Sequence, residues 1–495
     1  MILCIDGHEF RYEMENLCRV FFPLEKITVV SKPCGGGTFV YTGVRDTGTG
    51  ISVTAYVEKD GAKKWRSKAL TYDEAADGRE TQRSMSVLLF SVLTQMCGFT
   101  PKWGILTGVR PVKLYGGIMA KAGKAGAKKY FEEKLLVSKE KTELAADVFE
   151  NERGILALQT PDSFSLYIGI PFCPTRCAYC SFVSSSVDKT FKLIPAYVEL
   201  LCREIKRTGE VAEKLCLRLL SVYVGGGTPT VLTAGQLGQV LDAVRSSFDM
   251  SYCMEVTVEA GRPDTVTEEK LYAMKSRGVG RISINPQTMS DDVLTAIGRR
   301  HTAAQTVSAF RLARGCGFGN INMDIIAGLP RDDEEGFKHT VDVITDMSPE
   351  SITVHTLALK RAARLAQEKS GASAAGTQDV GSMIMYADSV LPEKGYIPYY
   401  LYRQSRMAGN LENTGWCKPG FENLYNVFIM EEQQTVLACG CGAGTKLKDP
   451  RSEKLERIFN FKYPYEYINR FNEIIGRKDL VIDFYGKSQQ ELQGV

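Results

Sequence analysis

Three cysteines carry the clearest chemistry in this sequence: Cys173, Cys177 and Cys180, spaced C-x3-C-x2-C. Disulfide pairing would leave one of them over, and soft thiolates favour iron–sulfur, zinc or copper(I). A four-iron cluster normally takes four cysteines, so a set of three implies one iron that is open to another ligand. Two alternatives remain at this point: a tetrahedral zinc site whose fourth ligand lies elsewhere, and three buried cysteines without a metal.

The cysteines follow the first of six strand-like runs that alternate with helical patterns. Pro195 suits the first turn of one helix, and Thr233 suits the N-cap of the next. Strand–helix alternation implies parallel strands joined by right-handed crossovers, so six units predict an α/β fold, a partial (β/α)6 barrel. The predicted strands are Leu166–Ile170, Ser221–Val224, Met254–Val258, Arg281–Asn285, Ile321–Ala327 and Ser351–Leu357.

Glycines and polar residues follow the other predicted strands where these end. Gly225, Gly226, Gly227 and Thr228 come after the second strand, where missing side chains let the backbone approach a ligand. In barrels of this kind the chemistry lies at the carboxyl ends of the strands. The remaining candidates at these ends are Glu259, Gln287, Asp324, His355 and Lys360.

The cysteine motif resembles a known signature. With Tyr179 before its last cysteine, it resembles that of the radical S-adenosylmethionine (SAM) enzymes. The longer string Tyr-Ile-Gly-Ile-Pro-Phe-Cys, from Tyr167 to Cys173, resembles the oxygen-independent coproporphyrinogen III oxidases, a branch that also contains a haem chaperone. Length and N-terminal extension are most similar to HemZ-type coproporphyrinogen dehydrogenases. The resemblance covers about Ser165 to Lys446.

The resemblance implies a cofactor site. Cys173, Cys177 and Cys180 would ligate a [4Fe-4S] cluster, and the methionyl amino and carboxylate groups of SAM would chelate its fourth iron. The segment Gly225 to Thr228 would accept the amino group, Arg299 suits the carboxylate, and Asp324 suits the ribose hydroxyls. The other residues that the family places at the cofactor are Tyr167, Tyr179, Phe182, Glu259 and Gln287, and Tyr167 and the cysteines count as catalytic.

The resemblance also implies a reaction. One electron from the cluster would cleave SAM to a 5′-deoxyadenosyl radical, which would abstract hydrogen from two propionates of coproporphyrinogen III. Loss of carbon dioxide would leave the vinyl groups of protoporphyrinogen IX in anaerobic haem biosynthesis. The expected partners are a tetrapyrrole and a reduced electron donor of the flavodoxin or ferredoxin type. The alternatives are a haem chaperone and radical SAM chemistry on another tetrapyrrole.

Two positions depart from the oxidase pattern. The oxidases follow the third cysteine with x-Cys, whereas this chain has Ser181 and Phe182, an aromatic as in the chaperone-like members. The oxidases also carry His two residues after the leading Tyr, where this chain has Gly169. Both positions lie near the cofactor region, and they put the binding of a second SAM in question.

The patterns predict three regions: an N-terminal α+β domain over 1–160, the radical SAM barrel core over 161–370 and a C-terminal, substrate-side extension over 371–495. The string Tyr399 to Asn413 mixes aromatics with Arg403 and Arg406, which suits a tetrapyrrole with propionates or, alternatively, an edge strand and loop. The late cysteines, Cys417, Cys439 and Cys441, either form an auxiliary metal site or pack in a glycine-rich turn.

Composition excludes some classes of protein. The chain has 495 residues, of which 44% are hydrophobic and 24% charged, as in soluble globular proteins. Its net charge of +3 comes from 61 basic and 58 acidic residues, a balance that predicts no nucleic-acid partner. The apolar stretch Met85–Met96 is too short to span a membrane, and the first residues lack a leader pattern. We therefore expect a cytoplasmic protein.

Overall fold

A computed structural model describes residues 1–23, 25–32, 37–180, 185–358, 377–404, 407–449, 452 and 454–493. The candidates Phe182, Lys360 and Arg406 and the position Ser181 lie outside these residues. The chain divides into two compact units, each described by itself below. The first unit comprises Met1–Phe149, Gly376–Gly381 and Leu401–Asn413; the second comprises Glu150–Ala375, Ser382–Tyr400 and Thr414–Val495. The three-region division at 160 and 370 stays a prediction.

The first unit is built on a five-stranded sheet in the order β2-β1-β3-β4-β5. Strand β1 is parallel to β2 and β3, and β3, β4 and β5 are antiparallel neighbours. One face of the sheet packs on helices through a buried cluster that includes Leu17, Val53 and Leu89. The strands are β1 (Ile2–Asp6), β2 (Thr28–Val30), β3 (Phe39–Asp46), β4 (Ile51–Lys59) and β5 (Ala62–Leu70).

Five helices begin in this part of the chain, and one differs from its sequence prediction. Leu88, Val92 and Met96 share one helical face in the sequence, which predicts a single helix over 73–98. The structure has two helices there, because Asp77 leaves the helical conformation and caps the second by accepting a hydrogen bond from the Arg79 N–H at 3.0 Å. The helices are α1 (Arg11–Phe21), α2 (Tyr72–Ala76), α3 (Gly78–Cys97), α4 (Pro111–Lys129) and α5 (Lys139–Leu156), and a π-helix (Tyr130–Lys134) follows α4.

The second unit contains the predicted partial barrel. Six strands lie side by side in sequence order, each parallel to its neighbour, in an eleven-stranded sheet ordered β14-β15-β13-β12-β11-β10-β9-β6-β16-β17-β18. The α/β fold class and the open barrel are therefore confirmed. The six core strands are β6 (Ser163–Ile170), β9 (Arg218–Gly226), β10 (Glu255–Glu259), β11 (Arg281–Ser283), β12 (Ile321–Ala327) and β13 (Ser351–Thr356).

Helices connect these core strands, and the predicted starts are confirmed for two of them. Pro195 lies in the first turn of α7, and Thr233 caps α8 in a capping box with Gln236. The helices are α6 (Val187–Thr190), α7 (Ile194–Lys214), α8 (Ala234–Ser247), α9 (Glu268–Lys275), α10 (Asp291–Ala296), α11 (Ala303–Gly315), α12 (Glu334–Met347) and α13 (Thr377–Glu393).

Additional strands extend the sheet beyond the six core strands. Strand β16 pairs in parallel with β6, while β15 pairs antiparallel with β13. Ile468, Phe471 and Ile475 align on one helical face in the sequence and predict a single helix over 464–475, but the structure divides it at Arg470. Strands β7 (Phe172–Cys173) and β8 (Ser185–Ser186) form a separate two-stranded sheet. The remaining elements are β14 (Ile397–Tyr402), β15 (Asn413–Cys417), β16 (Thr435–Gly440), β17 (Gly444–Lys448), β18 (Leu455–Phe459), α14 (Leu424–Glu431), α15 (Pro464–Asn469), α16 (Phe471–Arg477) and α17 (Asp479–Gln493). None of the described helices is long and apolar enough to cross a bilayer.

A buried ion pair fastens the last helices to the barrel. Glu204 on α7 is fully buried, and its Oε1 lies 2.7 Å from Lys478 Nζ. Its other oxygen accepts hydrogen bonds from the Gly440 N–H at 2.8 Å and the Tyr467 hydroxyl at 2.5 Å. Lys478 also donates to the Ala438 carbonyl at 2.7 Å. Every charge here is satisfied, so removing one partner leaves the other buried and uncompensated.

We expect Lys478→Met to lower the free energy of unfolding by about 3 kcal/mol, because the Glu204 carboxylate loses its counter-ion. Arg207→Met is the matched control: it removes the neighbouring Arg207–Asp479 pair, which is largely exposed, and should cost less than about 1 kcal/mol. Chemical denaturation of both variants measures the difference. Equal losses of unfolding free energy in the two variants would show that burial does not increase the contribution of the Glu204–Lys478 pair to stability.

A second buried carboxyl predicts a pH dependence. Glu152 is 2% exposed, and burial together with the charge of Glu431 raises its pKa to about 9. The native state therefore holds a proton that the unfolded chain releases, so stability falls as pH rises from about 4.5 towards about 9. Glu152→Gln should flatten this slope and raise the melting temperature at pH 8 but not at pH 5. Parallel slopes for both proteins would contradict the assignment.

Candidate functional site

The cysteine loop leaves the carboxyl end of β6 and is held by the segment that contains Ile297 and Gly298. Its Ala178 N–H donates to the Ile297 carbonyl at 2.9 Å, and the Thr175 hydroxyl donates to the Gly298 carbonyl at 2.9 Å. Within the loop the Cys180 N–H donates to the Cys177 carbonyl at 3.1 Å. Cys173, Cys177 and Cys180 are half-buried and form no disulfide. The three thiols are therefore presented on one braced loop that solvent and ligands can reach.

The glycine segment after β9 packs directly against this loop. The Gly227 N–H donates to the Ile170 carbonyl and the Thr228 N–H to the Phe172 carbonyl, both at 2.7 Å. A Cβ on Gly227 would lie 2.5 Å from the Phe172 oxygen and 3.0 Å from Cys173 Sγ, too close for any side chain. The Thr228 hydroxyl donates to Cys173 Sγ at 3.6 Å. The predicted glycines are thus required by the path of the chain beside the first cysteine.

Gly225 and Gly226 are two further positions in this segment where a side chain would not fit. Gly226 has φ +105°, a conformation that residues with a side chain rarely adopt, and its Cβ position lies 3.2 Å from the Tyr167 hydroxyl. A Cβ on Gly225 would lie 3.0 Å from Glu259 Oε1. The segment therefore places Tyr167 and Glu259 close to the glycine backbone.

Arg299 links the loop to the neighbouring strands. It is 9% exposed; one terminal nitrogen donates to the Asn285 carbonyl at 2.6 Å and to the Gly261 carbonyl at 3.4 Å, and the other donates to the Tyr179 hydroxyl at 3.2 Å. Its Nε has no hydrogen-bond partner in the described part of the chain. A buried guanidinium with a spare donor beside the cysteines suits an anionic group.

Glu259 ends β10 and forms a pair with Tyr223 on β9. The Tyr223 hydroxyl donates to Glu259 Oε1 at 2.7 Å. Burial raises the pKa of Glu259 to about 7, although the hydrogen bond from Tyr223 opposes the rise. The carboxyl therefore changes charge near neutral pH. The Tyr223 ring also stacks on Tyr425, with centroids 4.5 Å apart, and Tyr167 stacks 6.0 Å from Tyr425, so the floor of the site is aromatic.

Asp324 and Gln287 lie side by side because their backbones are paired. The Gln287 N–H donates to the Asp324 carbonyl at 2.9 Å, and Gln287 has φ +70°, a strained conformation for a residue with a side chain. The Asp324 carboxylate accepts from the Asn322 amide at 2.7 Å and lies 3.8 Å from His355 Nε2. Burial raises the pKa of Asp324, but these partners outweigh burial and lower it, so the carboxylate is charged.

These observations fit the implied cofactors. The chain offers three thiols of the soft type that iron favours, none of them in a disulfide, a glycine cradle (Gly225 to Gly227) packed beside the first thiol, and a buried arginine with a spare donor. Within the described ranges no three His, Cys, Asp or Glu side chains are placed to hold a single metal ion. A four-iron cluster has a different requirement, because each thiolate bonds a separate iron. The individual roles of the candidate residues stay predictions.

The late cysteines and Arg403 are used for packing in this structure. Cys439 Sγ lies 3.2 Å from the Thr208 hydroxyl, and burial raises the pKa of Cys439 to about 12. Cys441 Sγ donates to the Lys462 carbonyl at 2.9 Å. Arg403 was considered for propionate binding, but it is 3% exposed and donates to the carbonyls of Leu106, Gly108 and Asn410. Its guanidinium is therefore committed to the backbone of the first unit.

Sequence reasoning missed Tyr223, Asn285 and Thr175. Tyr223 contacts Glu259, the Asn285 carbonyl anchors Arg299, and Thr175 accepts a hydrogen bond from Arg262 at 3.0 Å. Only Tyr223 had a usable signal: it stands two positions before Gly225 on one strand and so lies on the same face. The Asn285 contact uses a backbone atom, which no side-chain pattern marks.

The sequence is similar to those of known proteins. Residues 167–344 match the radical SAM superfamily. The chain is 37% identical over 434 residues to the oxygen-independent coproporphyrinogen-III oxidase-like protein HemZ of Bacillus subtilis, covering 86% of this chain and 87% of that protein. It is 29% identical over 327 residues to the heme chaperone HemW of Lactococcus lactis, covering 66% and 80%.

A solved structure shares the fold. It is coproporphyrinogen III oxidase (HemN) from Escherichia coli, a radical SAM enzyme, and it matches with a TM-score of 0.51 at 21% identity over 65% of this chain and 72% of that chain. At this identity the likeness concerns the fold.

We expect Gly227→Ala to prevent cluster assembly, because the added methyl collides with the Phe172 carbonyl and Cys173 Sγ and must displace the loop. Iron and sulfide content after anaerobic reconstitution should fall by at least about tenfold, with the absorbance of the cluster. Gly280→Ala is the matched control, because nothing lies within 4 Å of its added methyl. Full iron content in Gly227→Ala would refute the need for a glycine here.

Proposed function

Because the chain belongs to the radical SAM superfamily and to its HemZ-like, oxygen-independent coproporphyrinogen III oxidase-related family, we propose that it oxidatively decarboxylates coproporphyrinogen III. Two propionates would become vinyl groups, giving protoporphyrinogen IX for haem biosynthesis. The observation that carries the proposal is the convergence of the cysteine loop, the glycine cradle and Arg299 at the carboxyl ends of the parallel core strands. The proposed substrate is taken from the similarity to the coproporphyrinogen-III oxidase-like protein HemZ.

In this proposal Cys173, Cys177 and Cys180 hold a [4Fe-4S] cluster. When bound, the cluster and SAM supply a 5′-deoxyadenosyl radical that abstracts hydrogen from the substrate. The spare Nε–H of Arg299 binds the SAM carboxylate, and backbone carbonyls of the segment Gly225 to Thr228 accept hydrogen bonds from the amino group. Since the pKa of Asp324 is lowered, its carboxylate stays charged and accepts hydrogen bonds from ribose hydroxyls.

Glu259 and Tyr223 have a positioning role. The hydrogen bond from Tyr223 fixes the carboxyl against the Gly225 backbone, where it orients the amino end of SAM. The stacked tyrosines below exclude water from this side of the site. We also propose a reduced flavodoxin- or ferredoxin-type protein as electron donor, and activity in an anaerobic cytoplasm.

One observation favours a second candidate, a haem chaperone. The oxidase motif carries His where this chain has Gly169, and a Cβ at Gly169 would already lie 3.2 Å from the Cys441 carbonyl oxygen. This backbone therefore has no place for that histidine without movement. The heme chaperone HemW is also a relative at 29% identity. In this alternative the chain binds haem and transfers it, without decarboxylation.

The test is an anaerobic assay of the reconstituted protein with SAM, a strong reductant and coproporphyrinogen III. Mass spectrometry follows 5′-deoxyadenosine and the porphyrin products together. We expect loss of two carboxyl groups, abolished in Cys177→Ala but retained in Cys202→Ala, a control cysteine on α7 away from the loop.

The other outcomes separate the alternatives. Deoxyadenosine without decarboxylation would keep the radical enzyme and discard this substrate. Stoichiometric haem uptake with neither product would replace the oxidase proposal with the chaperone.

Arg299→Lys should weaken SAM binding by about tenfold, because the lysine ammonium cannot keep the contacts to Asn285 and Tyr179 and also bind the carboxylate of SAM.

A further inference from the structure

A buried arginine reaches the middle of the cysteine loop. Arg262 follows β10 and is 3% exposed. Its Nη1 donates to the Thr175 hydroxyl at 3.0 Å, and that hydroxyl donates in turn to the Gly298 carbonyl at 2.9 Å. Thr175 lies between Cys173 and Cys177, two residues from each. The guanidinium therefore contacts the segment that joins two of the three expected cluster ligands.

Backbone contacts fix the place from which Arg262 reaches this loop. The Arg262 carbonyl accepts hydrogen bonds from the Thr265 N–H at 2.9 Å and from the Thr265 hydroxyl at 2.7 Å. The Thr265 hydroxyl also lies 2.6 Å from the hydroxyl of Thr230, which belongs to the segment after β9. Arg262 is therefore anchored to the neighbouring segment as well as to the cysteine loop.

Asp264 binds Arg262 on the side that faces away from the loop. Asp264 Oδ1 lies 3.0 Å from Arg262 Nε, and Oδ2 lies 3.0 Å from Nη2. These two nitrogens form one edge of the planar guanidinium, and Nη1 points away from that edge. The ion pair thus presents its positive end to Thr175 and its negative end to the opposite side.

His301 lies beside this ion pair and adds no charge to it. Its Nδ1 is 3.9 Å from Asp264 Oδ1, and its side chain is fully buried. Burial, together with the positive charges of Arg299 and Arg262, lowers the pKa of His301 to about 4. The ring is therefore neutral near pH 7, and the charge close to Thr175 is that of Arg262.

The redox state of a four-iron cluster is sensitive to a charge of this kind. With three thiolates, a [4Fe-4S] cluster at its 2+ level has a total charge of −1. One electron from a reduced donor protein makes this charge −2, without uptake of a proton. Net charge and hydrogen bonding are among the factors that set the potential of such a cluster. A buried cation stabilises the −2 state more than the −1 state, because Coulomb energies are large where solvent is excluded.

We propose that Arg262 is a positioning residue that holds the cysteine loop through Thr175 and raises the reduction potential of the cluster. Asp264 orients the guanidinium and offsets part of its charge. The inference rests on the cluster site of the proposed function, but not on the choice of substrate. If the pair only supported the loop, losing either member would change the cluster in the same direction. A charge effect requires opposite changes, because one member is positive and the other negative.

The test measures the midpoint potential of the reconstituted cluster in the full-length protein, by an EPR-monitored redox titration without SAM or substrate. We expect Arg262→Gln to lower the equilibrium constant for cluster reduction about tenfold, which is a shift of about 59 mV to a more negative potential for one electron. Asp264→Asn should shift the potential in the positive direction, because it removes a negative charge and keeps the size of the side chain. Arg262→Lys keeps the positive charge and should restore most of the potential.

A second ion pair of the same geometry provides the control. Arg277 Nε and Nη2 donate to the two carboxylate oxygens of Asp242, at 2.9 and 3.0 Å, and Asp242 is exposed on α8. Charges in such a position are screened by solvent. Arg277→Gln and Asp242→Asn should therefore leave the potential of the cluster unchanged.

Three results would overturn the proposal. The first is a shift of the same sign in Arg262→Gln and Asp264→Asn, which would assign the pair to loop support alone. The second is an unchanged potential in Asp264→Asn, a result that decides the matter even if Arg262→Gln assembles no cluster. The third is an equal shift in the Arg277 and Asp242 controls.

These outcomes are separate from the outcome of the proposed decarboxylation. An unaltered protein that takes up no iron–sulfur cluster would refute the cluster site and, with it, this inference. An intact cluster that supports no turnover of coproporphyrinogen III would refute the proposed reaction alone, because the potentials are measured without substrate.

Discussion

The site depends on one close approach of two backbone segments. The chain leaving β9 lies against the chain leaving β6, so that the N–H groups of Gly227 and Thr228 satisfy the carbonyls of Ile170 and Phe172. Parallel pairing of these strands, with Gly169 beside Gly225, brings their carboxyl ends together. The contact leaves no volume for side chains, and for that reason the cysteine loop keeps one position. The polar residues of later strands then surround a loop that is already fixed.

The interior of the partial barrel is unusually polar, and this suits a cofactor more than a packed core. Along β10 the alternating positions Glu255, Thr257 and Glu259 share a face. Asn423 contacts the first two of these residues, and Asn322 bridges Ser283 and Asp324. Each of these polar side chains has a partner, and the network holds Asp324 in place. Stability is supplied by the apolar layer between the strands and the outer helices.

Much of this fold could be predicted from the sequence, because buried parallel strands read as short apolar runs separated by amphipathic helices. The predicted strand Ile321–Ala327 agrees with the structure at both ends, and Thr233 caps its helix as expected. The glycine cradle was also predictable, since consecutive glycines after a strand mark a close backbone approach. The fold class and the family resemblance are confirmed, whereas the residue roles remain predictions.

The remaining features of the fold and of the site leave no recognisable pattern in the sequence. Strand β5 is polar or charged at almost every position, because it is an edge strand and its alternation has no apolar face. The short helix α2 ends at Asp77, a residue whose capping role depends on the local backbone. The sequence around Arg403 predicts a ligand-binding arginine, yet two of its partners are the carbonyls of Leu106 and Gly108, which are remote in sequence. In each case tertiary contacts decide what composition leaves open.

The order of the sheet has a consequence for synthesis of the protein. Strand β6, which leads into the cysteine loop, has β16 as its second neighbour, and about 265 residues separate the two along the chain. On the ribosome one edge of β6 therefore stays unpaired until almost the whole polypeptide has emerged. The sheet that carries the cysteine loop is thus completed only once the C-terminal strands have been made.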